Sequence, residues 1–228
     1  MKAYSFSAKG RRENNEDYIL NRQLSPDCSL FLVADGMGGY LYGEIASSLA
    51  CEVIAEYLVA NYGKSGLKQM LSHSLIVANK KIYEKRQEIA AKMGTTIAGT
   101  VIEGSTAYLF WCGDVRIYQF RNNEILFQSE DHSLINEMKK QVNVSASEIE
   151  RYGHIVTRAL TGITMEEDQD IIELSLMLGD VLIICTDGFW QNINVSSVSN
   201  LTEEEIQDQL DTHKEDMDDN FSILKLNF

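Results

Sequence analysis

Two short apolar segments of the chain run directly into Asp-Gly, and they read SLFLVADG and DVLIICTDG. A continuous apolar strand is buried on both faces, so these segments predict central strands of a covered sheet. Asp35 and Asp187 would then stand at strand ends beside the core, where Gly36 and Gly188 let a backbone carbonyl approach an ion closely. A single Asp-Gly pair is typical of a turn. Because an unneutralised carboxylate beside a core is costly, two such pairs favour a cation site.

The other apolar runs indicate an α+β fold. Runs that end in turn residues predict strands at 18–24, 29–34, 95–103, 106–112, 115–120, 124–128, 171–177, 180–186 and 221–227. A longer apolar period predicts two long helices, 45–57 and 67–82, and shorter ones at 133–141, 147–152 and 203–211. The strands form hairpin-like clusters and do not alternate regularly with helices, which favours largely antiparallel sheets.

Charge and cysteine usage limit the classes of function. The chain has 34 acidic and 20 basic side chains, and its net charge of −14 disfavours binding of nucleic acid through a basic surface. No apolar run has the length of a signal peptide or a membrane span, so we expect a cytoplasmic protein without membrane insertion. The widely spaced cysteines mostly lie in apolar stretches, which predicts buried free thiols at Cys28, Cys51, Cys112 and Cys185.

The chain shows no sign of a linker between domains. Pro26 is its single proline, and no stretch is rich in Ser, Gly and Pro. We therefore expect residues 1–228 to form one domain.

Further carboxylates adjoin other predicted strands. Glu16 and Asp17 precede the first of them, Asp219 precedes the last, and Asp114 lies between two. Oxygen ligands from separate segments suit Mg²⁺ or Mn²⁺, whereas a zinc site favours closely spaced His and Cys. Each carboxylate also has an ordinary interpretation. Glu16 and Asp17 would form a solvated charge pair, Asp219 would end an acidic run, and Asp114 would belong to a hairpin turn.

Arg12 lies close in sequence to Glu16 and Asp17. An arginine beside a metal centre is suited to binding phosphate in a bidentate manner, while a surface ion pair is its commoner role. A cysteine-dependent phosphatase is excluded, because no cysteine of the chain is followed by arginine six positions later.

Taken in order, a series of segments resembles the metal-dependent Ser/Thr protein phosphatases, the type 2C or PPM family, in their bacterial form. The segments are RRENNED, VADGMGG, MGTTIAGTVI, CGDVRIY, DHSLI, IVTRALTG, GDVLIICTDGFW and DDNFSIL. Each alone is weak, but their joint order, from residue 10 to residue 224, is specific. The resemblance implies a four-layer αββα sandwich in which two central sheets lie between pairs of helices.

The same resemblance implies a metal centre with two Mn²⁺ or Mg²⁺ ions. Asp35 would bridge both ions, and the Gly36 carbonyl would bind one of them. Asp187 and Asp219 would bind the other. Asp114, together with Asp187, would hold a possible third ion.

Other implied roles surround the ions. Glu16 and Asp17 would hold water bound to a metal or bind it weakly, and Arg12 would bind the phosphate. The segment 141–157 corresponds to a flap that influences access of the substrate. The resemblance implies three catalytic residues, namely Arg12, Asp35 and Asp187.

The sequence departs from the family pattern at several positions, including Leu41 and Tyr42, where small residues are frequent, and two further departures bear on the site. Met37 stands where some members have a histidine that is a candidate general acid, so the group that protonates the leaving alkoxide is unidentified. Trp190 lies in DGFW, where DGL is more usual. We expect it to pack as a partly buried aromatic residue, with an altered surface beside the site as the alternative.

The implied reaction is direct hydrolysis of phosphoserine and phosphothreonine in proteins, with water activated between the ions and no phosphoenzyme. The implied partners are phosphoproteins, including a cognate Ser/Thr kinase, and we expect a monomer. Two alternatives stay open. One is a catalytically silent module of the same fold that binds a phosphoprotein or kinase. The other is an acidic domain whose carboxylates serve only solubility.

Overall fold

A computed structural model describes residues 1–37, 42–141, 143–163 and 169–228. The strands are β1 (Lys2–Ala8), β2 (Asp17–Ser25), β3 (Cys28–Gly36), β4 (Thr95–Glu103), β5 (Thr106–Cys112), β6 (Arg116–Arg121), β7 (Glu124–Gln128), β8 (Asp170–Ser175), β9 (Val181–Cys185) and β10 (Phe221–Asn227). The helices are α1 (Gly43–Asn61), α2 (Leu67–Ile89), α3 (Leu134–Lys139), α4 (Ala146–Tyr152), α5 (Asp187–Trp190), α6 (Val195–Val198) and α7 (Glu203–His213).

The strands form two antiparallel sheets of five strands each. Sheet 1 has the order β2-β3-β4-β5-β8, and sheet 2 has the order β1-β10-β9-β6-β7. The two segments that precede Asp-Gly become β3 and β9, one in each sheet and each with a neighbour on both sides. Their continuous apolar runs thus correspond to strands covered on both faces, as the sequence predicts.

Alternate residues of the central strands enter separate cores. Leu30 and Leu32 of β3 pack toward α1 and α2, whereas Phe31 and Val33 face sheet 2. On the far side of sheet 2, residues such as Ile183 of β9 pack against α5, α6 and α7. The layer order is therefore helices, sheet 1, sheet 2, helices. This order confirms the predicted α+β sandwich, although the second helical layer consists of one eleven-residue helix and two single-turn helices.

The predicted elements appear with boundary shifts, the largest at α2, which ends at Ile89 and not at residue 82, and three elements were not predicted. β1 is an edge strand in which polar residues alternate with Tyr4, Phe6 and Ala8, and only these three pack on the core. The alternation of apolar and polar residues is visible in the sequence, but it extends over only three apolar positions. α5 and α6 have four residues each, too few for a helical period to be recognised.

All four cysteines are buried and unpaired, as predicted. Within the residues that the structure describes, no helix combines the length and the apolar composition needed to cross a bilayer.

α7 begins with a capping box that should contribute measurably to stability. The Thr202 hydroxyl accepts a hydrogen bond from the Glu205 N–H, and the Glu205 side chain accepts one from the Thr202 N–H. Thr202→Ala should lower the free energy of unfolding by about 1 kcal/mol, and the melting temperature by about 2–4 °C. Thermal unfolding followed by circular dichroism measures the effect. Thr202→Ser keeps the cap and is the control, and equal melting temperatures for both variants would contradict this role.

Candidate metal centre

The two Asp-Gly aspartates stand at the ends of central strands in different sheets. Asp35 lies near the end of β3, in register with Asp17 of β2 and Thr96 of β4. Asp187 follows β9 after one residue, Thr186, and begins α5. Asp219 precedes β10, which pairs with β9. Because the two sheets are stacked, these strand ends meet at one edge of the sandwich.

A cleft of about 400 Å³ lies at this edge. Most of the residues predicted for the site line it, namely Arg12, Glu16, Asp35, Gly36, Asp114, Asp187 and Asp219. Asp17 does not line the cleft. Its side chain is buried and accepts a hydrogen bond of 3.0 Å from the Thr186 hydroxyl.

Burial and mutual repulsion disfavour the charged forms of these carboxylates. Burial, followed by the charges of Asp17 and Asp187, raises the pKa of Asp35 well above its usual range. Burial likewise raises the pKa of Asp17 and that of Asp114, each to about 7. The pKa of Asp187 is raised by burial and then by the charge of Asp219. Bound cations would offset the cost of holding these groups ionised together at neutral pH.

Two buried carboxylate oxygens, Glu16 Oε2 and Asp17 Oδ1, have no hydrogen-bond partner among the described residues. Such oxygens fit a divalent cation or a water molecule bound to it. Over the described ranges, no three side chains of Asp, Glu, His or Cys are placed so that they could hold a metal ion together. A small hard cation does not require three such ligands, since Mg²⁺ keeps several waters and uses one or two carboxylates. The donor set therefore fits Mg²⁺ or Mn²⁺.

Gly36 lines the cleft and is closely surrounded by backbone atoms. The Gly36 N–H donates to the Glu16 carbonyl over 3.1 Å, and a Cβ at Gly36 would overlap the backbone carbonyl of Gly43 at the start of α1. A Cβ at Gly43 would in turn overlap the Glu16 carboxylate. Glycine is required at both positions because β2, β3 and α1 converge there.

Asn220 connects the segment before β2 to the start of β10 through side-chain hydrogen bonds. Its side-chain oxygen accepts from the Glu16 N–H over 2.9 Å, and its amide group donates to the carbonyls of Lys9 and Asn14, each over 2.9 Å. Asn220 is itself buried. These bonds bring the carboxylates from the two ends of the chain to the same cleft.

Arg12 lies at the rim of the cleft, with its side chain half exposed. Its Nη2 donates to Asp219 Oδ2 over 2.7 Å. The guanidinium group thus supplies positive charge to a cleft otherwise rich in carboxylates, as required for a group that contacts an anionic substrate.

Comparison with known proteins gives the family. The model of the family described as protein phosphatase 2C matches residues 7–222. The chain belongs to the protein phosphatase 2C family. Its assignment as a phosphoprotein phosphatase of bacterial type, predicted from the sequence, is thereby confirmed.

Relatives of this 2C phosphatase cover most of its length. Protein phosphatase PhpP of Streptococcus pneumoniae is 29% identical over 201 residues, which are 86% of this chain and 81% of PhpP. The serine/threonine phosphatase of S. agalactiae has a similar structure, with a TM-score of 0.87 and 27% identity, covering 99% of this chain and 98% of that one. The catalytic domain of PstP, in complex with two manganese ions, has a TM-score of 0.81 and 25% identity, covering 98% and 96%.

The cleft of the 2C phosphatase also contains residues that sequence reasoning did not single out. They are Glu13, Asn14, Thr96, His154 and Val156. The last two belong to the predicted flap 141–157, of which Val142 lies outside the described residues. A bridge between Ser133 and Val156 fixes the end of this segment. No local motif marks such a pairing, so the sequence could not place His154 at the cleft.

Proposed function

We propose that this 2C phosphatase hydrolyses phosphoserine and phosphothreonine in proteins with two divalent ions, Mn²⁺ or Mg²⁺, held in the cleft. The observation that carries the proposal is the group of repelling carboxylates at one cleft, with Arg12 at its rim. The names of PhpP and PstP, a protein phosphatase and a serine threonine protein phosphatase, support the substrate class.

In this proposal Asp35 would hold both ions, and the Gly36 carbonyl would hold one of them. Asp187 and Asp219 would hold the other, and Asp114 with Asp187 would hold a third ion where one binds. These assignments are supported by the strand ends that bring the side chains to one cleft. When bound, the ions would neutralise the phosphoryl oxygens and lower the pKa of the attacking water.

The surrounding residues of the chain bind and orient. Glu16 and Asp17, each with an unpartnered buried oxygen, would hold water at the edge of the ion site. Arg12 would leave Asp219 and donate two N–H groups to the phosphate, since an exposed ion pair is easily exchanged. The bound phosphate would then lie between the guanidinium group and the carboxylate cluster.

We further propose that residues 1–228 act as one domain and as a monomer in the cytoplasm, on substrates that include a cognate Ser/Thr kinase. The four free buried thiols agree with a reducing compartment. The net charge of −14 argues against nucleic acid as a partner.

The proposal is tested by assaying the purified protein on matched phosphothreonine and phosphotyrosine peptides with Mn²⁺, with Mg²⁺ and with excess EDTA. We expect hydrolysis of the phosphothreonine peptide that requires a divalent ion. Full activity in EDTA would overturn the metal mechanism, and preference for phosphotyrosine would overturn the substrate class. Binding of Mn²⁺ and of the phosphopeptide without turnover would establish the silent module instead.

Arg12→Ala should mainly weaken substrate binding. We expect KM for the phosphothreonine peptide to rise about tenfold, with kcat within about threefold of the natural value, because the lost contact is to the bound phosphate. Arg11→Ala is the matched control, since Arg11 pairs with Asp218 and does not line the cleft. Steady-state kinetics separates the two parameters. A decrease in kcat that exceeds the increase in KM would show that Arg12 acts in the transition state.

A further inference from the structure

Asp114 belongs to a turn that is packed tightly against sheet 1. Gly113 has a φ of +120°, and a Cβ at this position would overlap the side chain of Thr96. Thr96 is the register partner of Asp35 on β4. The direction in which the Asp114 carboxylate enters the cleft therefore depends on how this turn is held.

Trp190 holds the Asp114 half of the turn. Its indole Nε1–H donates to the Asp114 carbonyl over 3.1 Å. The guanidinium carbon of Arg116 lies 3.4 Å from the centre of the indole ring. Arg116 in turn donates two hydrogen bonds of 2.8 Å to the carboxylate of Asp131. Both partners of this ion pair are mostly buried, so the indole ring lies against a fixed surface.

His132 holds the Gly113 half of the turn. The His132 backbone N–H donates to the Gly113 carbonyl over 2.9 Å, and the Gly113 N–H donates to His132 Nδ1 over 3.0 Å. Since Nδ1 accepts, a neutral ring carries its proton on Nε2, which lies 2.9 Å from Asp170 Oδ2. Burial, and then the charge of Arg158, lower the pKa of His132, which favours this neutral form.

The two contacts are connected through the chain. Asp131, which pairs with the Arg116 guanidinium group stacked on Trp190, directly precedes His132. The turn is thus held at both of its residues by a single network, in which Trp190 contacts Asp114 itself.

We propose that Trp190 is a positioning residue for Asp114 and thereby sets the affinity of the divalent cation that the Asp114 carboxylate binds. This inference rests on the proposed function, because it takes Asp114 as a metal ligand. The indole N–H reaches the carbonyl of Asp114, and the stacked Arg116 keeps the ring in that direction. Trp190 therefore acts on the site through the backbone of the turn.

Trp190→Phe tests the role directly, since phenylalanine keeps a smaller aromatic face for Arg116 and lacks the N–H donor. Mn²⁺ binding is titrated by calorimetry, and Asp114→Asn identifies the binding component that depends on Asp114. We expect Trp190→Phe to raise the dissociation constant of that component about tenfold and to leave the others within about twofold. Adding Trp190→Phe to Asp114→Asn should leave the remaining Mn²⁺ dissociation constants unchanged, because the two residues act as one unit.

Tyr118→Phe is the matched control. It removes a hydroxyl that accepts a hydrogen bond of 3.3 Å from the same Arg116, and the bond has no part in the turn. We expect it to leave every Mn²⁺ constant within about twofold. The inference is overturned if Trp190→Phe leaves the Asp114 component unchanged, if it weakens all components equally, or if Asp114→Asn removes no component.

A second measurement does not depend on the folding of the Trp190 variant. The chain has two tryptophans, so Trp111→Phe leaves Trp190 as the single indole. The emission of Trp190 should change over the Mg²⁺ concentrations at which the Asp114-dependent site binds Mg²⁺ in a parallel calorimetric titration. Asp114→Asn should abolish this change. An emission that does not respond to the ion would contradict the inference. Hydrolysis of an aryl phosphate at saturating Mn²⁺ tests the proposed function separately, because saturation compensates for a lowered affinity of one ion.

Discussion

Replacing Asp35 by Asn should lower kcat/KM for a phosphothreonine peptide by at least about 10³-fold and should also make the metal-free protein more stable to heat. An amide has no charge and cannot bridge two cations as a carboxylate does. Loss of such a ligand removes several kcal/mol of charge stabilisation in the transition state, and each tenfold loss in rate corresponds to about 1.4 kcal/mol. Steady-state kinetics at saturating Mn²⁺ measures the first effect.

The same substitution should increase stability while it lowers activity, because the carboxylates of the metal-free site repel one another. Burial and the charges of Asp17 and Asp187 raise the pKa of Asp35, so its ionised form is unfavourable in the folded protein. Asp35→Asn removes that cost. Asp218→Asn is the matched control, since Asp218 adjoins Asp219 in sequence but has a side chain that is 87% exposed. An Asp35 variant with more than a tenth of the natural activity would contradict its role as a metal ligand, and a lower melting temperature in EDTA would contradict the repulsion among the carboxylates.

The metal-free protein should lose thermal stability as the pH rises from 5 to 8, and saturating Mn²⁺ should remove most of that loss. Burial raises the folded-state pKa of Asp17 and of Asp114 to about 7, whereas an unfolded aspartate titrates near about 3.9. Between these values the folded state binds more protons than the unfolded state, so an increase in pH favours unfolding. Their contribution is fully present below about pH 4 and is lost above about pH 7.

Calorimetric scans in EDTA over this range should show the melting temperature falling by more than about 5 °C. The range begins at pH 5 to avoid carboxylates that behave in the opposite way, and within it the lowered pKa of His132 offsets part of the fall. The Arg121 ion pair lowers the pKa of Asp180, so its contribution is lost only under more acidic conditions. Asp35→Asn should make the slope with pH shallower. A melting temperature in EDTA that is constant or increases over this range would show that the carboxylates do not interact as described.

The central strands and their aspartates could be predicted because the relevant signal is local. The continuous apolar runs before Asp35 and Asp187 indicate strands buried on both faces, and β3 and β9 are such strands. Their arrival at one cleft could be inferred from the sequence only through the family resemblance. The pairing of Asp17 with Asp35 depends on strand register, and no property of either residue alone specifies it.

The contacts that hold the cleft in place could not be predicted, because they join segments that are distant along the chain. Asn220 binds Lys9 and Asn14 through tertiary hydrogen bonds. His132 and Trp190 contact the same turn from different elements. In the sequence each has the appearance of an ordinary polar or aromatic residue, and only the fold shows what it touches.

The bonds of Asn220 also bear on when the enzyme becomes active during synthesis. Asn220 and Asp219 reach partners more than 200 positions earlier, at Lys9, Asn14 and Arg12. β1 likewise acquires its neighbour in the sheet only when β10 is made. A nascent chain on the ribosome therefore has an incomplete active site until β10 has emerged and paired with β1. Contacts of such long separation slow folding, so dephosphorylation should begin only after these pairings have formed.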